Sequence, residues 1–423
     1  MLFKHNNIEL INKPKEIGRF SIDKNGELLP DGDQNKRFLY KKFLNQNLFQ
    51  LNINSNLISY EERTREMELN TRRSILKALK KSGRSLKEEL YGSDFYCSSG
   101  ILTKFATSSI GNVYVDVWCK MIDGVIVMVD SDTFEWAEKE KKIKEEKIFN
   151  EDNILSSDED SDKEEVKKEK IFNMDNILSS DEDSDKEEVK KEKKIEKEKI
   201  FNVGKILSSD EDSGKEEVQR ERRSFAGFAS LLKFQLFFQK DSKTSQCCIE
   251  EGVKAWKQYR RVYFTDINDL EGNHSIRVTY NSIIHCVDEA DDRPVLMRTI
   301  PAFINEDEFE WSPEIASRLY MQSFFTNSRK IIIGEKDRNG IIHISNLKSI
   351  KECLKKPKID TQILHKNLQL IFKNIKEAFE VRKDGSQTNY VRLYKPSKST
   401  GFNVTCFSFP PDNELSIKVF DDI

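Results

Sequence analysis

Apolar residues recur every three to four positions in four stretches of the chain, the period of a helix with one buried face. These stretches also carry charged residues at the intervening positions, except for the second, which is apolar on most sides. The four predicted helices cover residues 61–90, 225–239, 313–325 and 360–379.

Shorter runs of β-branched and aromatic residues predict strands before, between and after these helices. The triplet Ile122-Asp123-Gly124 predicts a hairpin turn between two of them. The predicted strands cover residues 18–23, 38–43, 100–105, 113–121, 124–129, 278–287, 294–300, 330–335, 341–344, 403–409 and 415–420. Because strands and helices are mixed along the chain, we expect an α/β (mixed α+β) fold with mixed sheets.

A repeated, highly charged segment interrupts this pattern. Three copies of a KIFN…ILSSDEDS motif begin at Lys147, Lys170 and Lys199. The tract over 137–223 offers few apolar side chains to offset the ordering entropy, so we predict a disordered insert. Residues 1–136 and 224–423 are then two parts of one interrupted fold.

The insert has three interpretations beyond a solvated charge run. Acidic residues follow the serine pairs at 156–157, 179–180 and 208–209, which predicts phosphorylation by acidophilic kinases. Asp158, Asp160, Asp162 and Glu169 fit the calcium-ligand spacing of an EF-hand, but Lys163 stands where its loop needs glycine, which disfavours calcium. A third interpretation makes the insert a docking tether for a protein partner.

Composition narrows the class of protein. The chain has 423 residues, with 70 Lys and Arg against 73 Asp and Glu, so its net charge of −3 excludes a uniformly basic nucleic-acid coat. The seven cysteines show no CxxC spacing, which argues against a disulfide framework and a zinc ribbon. No apolar run is long enough to cross a membrane. We therefore expect a soluble intracellular protein with no membrane partner.

The order of several motifs resembles the decapping nuclease family typified by DXO. The matching stretches are EIGRFSIDKNGELLPD, KRFLY, SSGILTKFATSS, GVIVMVDSDT, LLKFQLFF, IIHCVDEADDRPVLMRT and LYMQSFFTNSRKIIIGEKDRNGIIHISNLKSI. The resemblance implies two mixed β-sheets flanked by helices around a deep cleft that holds Mg²⁺ or Mn²⁺. It also implies hydrolysis of aberrant or nicotinamide-dinucleotide caps at RNA 5′ ends, often with 5′–3′ degradation. It further implies a nuclear or cytoplasmic location, with a 5′–3′ exonuclease or another protein as partner.

The resemblance also assigns the site residues. Four metal-binding carboxylates of the family correspond to Gln235, Ile283, His285 and Leu296, and Arg298 stands where the family has lysine. The substrate-holding Trp-Arg-Gly corresponds to Ser98-Ser99-Gly100, so Ser99 and Gly100 are substrate-binding candidates. The family's cleft glutamine remains as Gln322, and Arg37 of KRFLY remains as well.

These replacements predict a lost metal site. A hard divalent ion needs anionic oxygen ligands, which glutamine, isoleucine, leucine and histidine do not supply. We therefore expect hydrolysis to be lost or impaired, with binding of RNA or of a partner retained and no specificity for DNA. The alternative is an active hydrolase with a rearranged site, for which Glu289-x-Asp291 is the candidate acid pair. That pair is expected in a turn between strands, where acids are usually solvated.

Three further features have two interpretations each. His285 is either a metal ligand or base, or a cleft or core histidine, and the second is favoured because no other histidine lies within ligand spacing. The segment 254–263 interleaves basic and aromatic residues, which suits either an RNA-binding surface or an amphipathic element. The helix over 61–90 is a second basic candidate, for which a solvated face is favoured. Its basic residues are Arg63, Arg65, Arg72, Arg73, Lys77, Lys80, Lys81 and Arg84.

Overall fold

The computed structural model describes most of the chain on either side of the repeat insert. It covers residues 11–131 and 231–420, except for 43, 45–50, 54–60, 62–63, 81–82, 112, 242–247, 249–252, 269–274, 302–310, 338–339, 356, 358, 381–387, 397–398, 400 and 410–419. The proposed phosphorylation serines, the EF-hand-like acids and the strand expected over 415–420, apart from its last residue, lie outside the described residues. The insert therefore stays a prediction.

Strands and helices are interspersed along the whole described part of the chain. The strands are β1 Lys15–Ile22, β2 Arg37–Leu39, β3 Leu51–Asn52, β4 Phe95–Ser98, β5 Val115–Ile122, β6 Val125–Asp130, β7 Gln239–Asp241, β8 Gln258–Asn268, β9 Ser275–Ile283, β10 Cys286–Val287, β11 Pro294–Pro301, β12 Lys330–Lys336, β13 Ile341–Ser349, β14 Tyr390–Lys395 and β15 Asn403–Phe407. The helices are α1 Arg65–Leu79, α2 Leu86–Glu89, α3 Ser99–Thr107, α4 (residues 231–237), α5 Pro313–Thr326, α6 Ile350–Cys353 and α7 Thr361–Phe379.

These strands form two mixed sheets. The first has the order β1-β8-β9-β4-β6-β5-β14-β15, with β4 parallel to both β6 and β9. The second has the order β3-β13-β12-β11-β10-β2-β7, with β11 parallel to β12 and β10 parallel to β2. Strands from before and after the insert pair within both sheets, so the two parts build one fold. The prediction of a mixed α+β fold with two mixed sheets is confirmed.

Helices cover both faces of the first sheet. One face packs against α3, α5 and α7, where Phe105, Phe325 and Phe372 meet the inward side chains of the strands. The other face packs against α1 and α2 through Ile75, Leu76, Leu86 and Leu90. Because β4 and β6 are buried from both sides, they contain almost no exposed polar residue, as expected for parallel strands. The buried side chains of α1 and α2 are the ones whose spacing predicted the helix.

The second sheet is covered by different elements on its two faces. On one face, Phe234 of α4 and Phe238, the residue after α4, pack with Cys286, Val295 and Met297. On the other face, a cluster around α5 contains Ile300, Leu319 and Ile331, with Leu296 packed against it. Alternate residues of β11 therefore face opposite sides, and the side that carries Leu296 also carries Arg298.

Three sequence expectations about secondary structure were wrong. Residues 100–105 are not a strand, because they belong to α3, which Ser98 caps by accepting a hydrogen bond from the Ile101 amide at 3.4 Å. The helix expected over 61–90 is two helices, α1 and α2. The strand expected over 278–287 breaks after Ile283, and the sequence analysis missed β8 and β14.

Two further findings concern the cysteines and the membrane. The cysteines that the structure describes form no disulfide with one another, namely Cys97, Cys119, Cys248, Cys286, Cys353 and Cys406. None of the helices among the described residues is long and apolar enough to cross a bilayer.

Candidate functional site

The candidate site lies where the chain passes from one sheet to the other. Strand β9 ends in the first sheet at Ile283, and after Ile284 and His285 the chain enters the second sheet as β10. Cys286 pairs with Val295 of β11, so His285 comes beside the start of β11. This crossover brings the last residues of β9 to the strand that carries Leu296 and Arg298.

Arg298 is held by neutral oxygen atoms. Its Nη2 donates a short hydrogen bond to Oε1 of Gln322 on α5, and its Nη1 donates to the Met297 carbonyl at 3.2 Å. Burial, together with the charge of Arg318, lowers the pKa of the Arg298 guanidinium. Among the described residues, no carboxylate lies within ion-pair distance of it. The partly buried cation therefore keeps an uncompensated charge in the candidate site.

His285 is a neutral neighbour of this cation. Burial and the charge of Arg298 lower the pKa of His285 to about 4. The imidazole is therefore uncharged near neutral pH, with one ring nitrogen that donates and one that accepts. A group with so low a pKa is a weak base toward water.

Gln235 is buried without a partner for its amide oxygen. The residue is 3% exposed, and its Oε1 has no hydrogen-bond partner among the described residues. It lies on α4, whose Phe234 packs so closely on β12 that a Cβ on Gly334 would come within 2.5 Å of the ring. A buried polar atom left without a partner is costly and needs an explanation, such as a bound ligand.

The donor set at these positions does not fit a divalent metal. Ile283 and Leu296 supply no ligand atom, and the Gln322 oxygen already accepts from Arg298. Within the described ranges, no cluster of three or more His, Cys, Asp or Glu side chains could hold an ion. A fixed guanidinium beside the remaining neutral donors would also repel a second cation.

The acid pair considered as a rescue lies in the turn between β10 and β11. Glu289 pairs with Lys240 at 2.7 Å, and Asp291 lies 3.7 Å from Arg293. Both acids are exposed. This is the solvated turn that the sequence analysis favoured, and it leaves the crossover without these carboxylates.

The remaining substrate-binding candidates lie in separate contacts. Arg37 on β2 is buried and pairs with Asp241 on β7 at 2.7 Å. Ser99 and Gly100 form the first turn of α3. Among the described contacts, a hydrogen bond joins Arg298 to Gln322, and the charge of Arg298 acts on His285. The roles of Arg37, Ser99 and Gly100 stay predictions.

The basic and aromatic segment over 254–263 is not an RNA-binding surface along most of its length. Tyr259, Arg260, Arg261 and Tyr263 are buried in β8, the second strand of the first sheet. Arg260 donates to Asn281 at 2.7 Å and lies 3.4 Å from Glu68. The amphipathic interpretation is correct for the buried rings of Tyr259 and Tyr263 but wrong for Arg260 and Arg261, whose charges are buried and not solvated.

The basic residues of the helix predicted over 61–90 differ in their exposure to solvent. Arg72 is largely buried and pairs with Glu68 at 3.2 Å, so it belongs to the interior and not to a solvated face. Lys80 is partly exposed and pairs with Asp123 at 2.9 Å. Arg63 and Lys81 lie outside the described residues.

Sequence reasoning assigned no role to Asp288, a buried carboxylate near the crossover that pairs with two lysines. The residue is 1% exposed, and its two oxygens accept from Lys41 at 3.1 Å and Lys330 at 2.5 Å. Burial alone would raise its pKa, but Lys330, the Ala290 amide and Lys41 lower it to about 2. The only signal in the sequence was its place in the motif IIHCVDEADD.

The chain is similar to known proteins in part of its sequence and in its fold. A family model described as "RAI1 like PD-(D/E)XK nuclease" matches residues 12–196. No curated protein matches the chain by sequence. A crystal structure of Candida albicans Rai1 in complex with pU5 and Mn²⁺ is similar with a TM-score of 0.59 and 14% identity, over 97% of this chain and 91% of that one.

Two other solved structures are similar over most of their length. S. pombe Rai1 in complex with 3′-FADP gives a TM-score of 0.53 at 13% identity, over 94% of both chains. K. lactis Dxo1 in complex with manganese gives 0.52 at 9% identity, over 95% of this chain and 91% of that one. At these identities the structures show a shared fold. The chain is thus similar to RAI1-like PD-(D/E)XK nucleases in the sequence of residues 12–196 and in its fold, which agrees with the resemblance of the sequence motifs.

Proposed function

We propose that this chain recognises RNA 5′ ends in the family cleft, and that its metal-dependent hydrolysis is lost or impaired. The observation that carries the proposal is the guanidinium of Arg298 at the strand crossover, whose hydrogen-bond partners among the described residues are all neutral oxygens. An uncompensated cation in a partly buried position is a site for an anion. The anion available at an RNA 5′ end is its phosphate.

The side chains of the candidate site are better suited to binding RNA than to hydrolysing it. Arg298 offers a planar fork of donors, which suits two oxygens of one phosphate. A neutral His285 donates at most one hydrogen bond, and its low pKa makes it a poor base for activating water. In relatives that bind a divalent ion, the metal supplies charge stabilisation and an activated water. The residues at the corresponding positions here supply neither.

The second candidate function is an active metal-dependent decapping hydrolase or 5′–3′ exonuclease with a rearranged site. It is favoured by the relatives, since the structures of Candida albicans Rai1 and K. lactis Dxo1 contain manganese. It requires carboxylates from a part of the chain that this structure does not describe. Under either function, we propose a nuclear or cytoplasmic location and an exonuclease or another protein as partner.

An activity assay separates the two functions. The purified full-length chain is incubated with RNA carrying a 5′ cap, a nicotinamide-dinucleotide cap or a 5′-monophosphate, with Mn²⁺ and then with a chelator. We expect no turnover under any of these conditions, together with retained RNA binding. Multiple turnover that the chelator abolishes would establish the second function instead.

A further inference from the structure

An exposed aromatic stack lies on the first sheet, away from the crossover. The rings of Tyr91, which follows α2, and Phe264 on β8 are 5.7 Å apart and 17° from parallel. Tyr91 is 54% exposed even with Phe264 against it. Phe264 pairs with Thr279, whereas Ile283 pairs with Arg260. At about 3.3 Å per residue, the stack is roughly 13 Å along the strand from the end of β9.

Basic side chains surround this stack. The Lys15 ammonium lies 5.7 Å from the centre of the Phe264 ring, and the Arg277 guanidinium lies 5.3 Å from it. Arg277 also donates to the Tyr91 carbonyl at 2.8 Å and pairs with Asp266 at 2.7 Å. Lys87 and Lys376 flank the same region, and both lie within 4 Å of Asp94. The basic side chains named here therefore outnumber the two carboxylates, Asp94 and Asp266, by four to two.

The backbone at Tyr91 ends α2. The amide of Tyr91 donates to the Glu88 carbonyl at 3.1 Å, and the amide of Gly92 donates to the Lys87 carbonyl at 2.8 Å. This helix-ending turn gives Tyr91 a φ of 57°, in the left-handed region where glycine is favoured, so the turn does not require an aromatic ring. Exposure also denies the ring most of the energy that burial would provide.

We propose that Tyr91, Phe264, Lys15 and Arg277 form a second RNA contact, the Tyr91 platform, on which a base of single-stranded RNA stacks. Bases stack on exposed aromatic rings without regard to sequence, while neighbouring cations neutralise the phosphates. The proposal takes its ligand class from the proposed function. It assigns a surface that would bind the RNA body downstream of the 5′ end.

The test uses the full-length chain and a single-stranded 12-nucleotide RNA with a 5′-hydroxyl and a 3′-fluorophore. We expect Tyr91→Ala to weaken binding about tenfold in fluorescence anisotropy, because one stacked base contributes about 1–3 kcal/mol. Tyr91→Phe keeps the ring and should bind as the wild type does. Leu370→Ala removes another exposed apolar side chain, on α7, and should change nothing.

Tyr91→Gly removes misfolding as an explanation. Glycine relieves the left-handed conformation, so this variant should have an unchanged or raised Tm while it loses RNA affinity like Tyr91→Ala. Quenching of 2-aminopurine in the RNA should disappear with the ring. Wild-type affinity in both Tyr91→Gly and Tyr91→Ala would overturn the proposal, and so would equal losses in Tyr91→Phe and Tyr91→Gly.

The 5′-hydroxyl RNA separates this proposal from the proposed function. It lacks the terminal phosphate assigned to Arg298, so the effect of Tyr91 on its affinity is measured without that contact. If 5′-phosphorylated RNA binds no more tightly than 5′-hydroxyl RNA but the Tyr91 effect remains, the proposed function fails and the platform stands. The opposite pattern would refute the platform alone.

Discussion

Two charged residues on either side of the turn between β10 and β11 show how differently this molecule treats buried charge. Asp288 is held by two lysines and a backbone amide, so its charge is fully balanced. Arg298 lies on the next strand, and its partners within the described part of the chain are the side-chain oxygen of Gln322 and the carbonyl of Met297. The first arrangement ties the chain together. The second leaves a positive charge for a ligand to balance.

The difference predicts that substitutions at the two residues have opposite effects on stability and on RNA binding. Removing a balanced buried charge leaves its partners uncompensated, which lowers stability. Removing an unbalanced buried charge relieves a desolvation cost and affects the ligand instead. Variants of Asp288 should therefore lose stability and keep RNA binding, and variants of Arg298 should do the reverse.

The largest effect is expected from Asp288→Ala. The change leaves the ammonium groups of Lys41 and Lys330 without their shared carboxylate and opens the strand crossover. We expect the free energy of unfolding to fall by about 2 kcal/mol, measured by urea denaturation, because Lys41 and Lys330 are partly exposed and water compensates their charges in part. The control is Asp291→Ala in the exposed turn, which should change it by less than about 0.5 kcal/mol. Equal effects of the two variants would show that Asp288 is not a structural anchor.

Acid unfolding should report the same carboxylate. The pKa of Asp288 is lowered from 3.8 to about 2, so its charge stabilises the fold above about pH 4. That contribution, up to about 2 kcal/mol, is lost as the pH falls from about 4 to 2. Asp288→Asn should flatten the pH dependence of the unfolding free energy in this window. A variant with the wild-type pH profile would contradict the assignment.

Arg298→Gln should weaken the binding of 5′-monophosphorylated RNA about tenfold, because one charge-assisted contact is worth roughly 1.5–3 kcal/mol. The free energy of unfolding should stay the same or rise. Lys373→Gln on α7 removes one exposed positive charge and serves as the control for net charge. An Arg298→Gln variant that is less stable but binds RNA as the wild type does would show that Arg298 stabilises the fold and does not bind RNA.

The smallest expected effect concerns His285. Its pKa is about 4, so its NMR signals should not titrate between pH 5 and 8. In Arg298→Gln the pKa of His285 should rise only slightly, because burial, the larger cause of its low value, remains. A titration near pH 6.5 in the wild type would mean that the imidazole is solvated and distant from Arg298.

Local signals in the sequence predicted the fold well wherever neighbours in the chain decide the structure. The hairpin at Ile122-Asp123-Gly124 forms as expected, with Asp123 and Gly124 both at positive φ. Residues 100–105 were assigned to a strand because a short apolar run that is buried all round has no distinguishing period. The cap of that helix, Ser98, was the signal that could have corrected the assignment.

The candidate residues of the site come from motif order, and the contacts between them required the structure. Motif order located His285, Arg298 and Gln322, which the structure brings together. The burial of Asp288 and the stack of Tyr91 on Phe264 depend on residues far apart in the chain. Spacing and periodicity carry no information about such pairs, so these features required the structure.

The most direct test of the central claim measures the affinity of 5′-monophosphorylated and 5′-hydroxyl single-stranded RNA with Mn²⁺ and with EDTA, for the wild type and Arg298→Gln. The account predicts that the wild type prefers the phosphorylated RNA equally in both buffers, and that Arg298→Gln loses the preference. A preference that appears only with Mn²⁺ and survives in Arg298→Gln would contradict it.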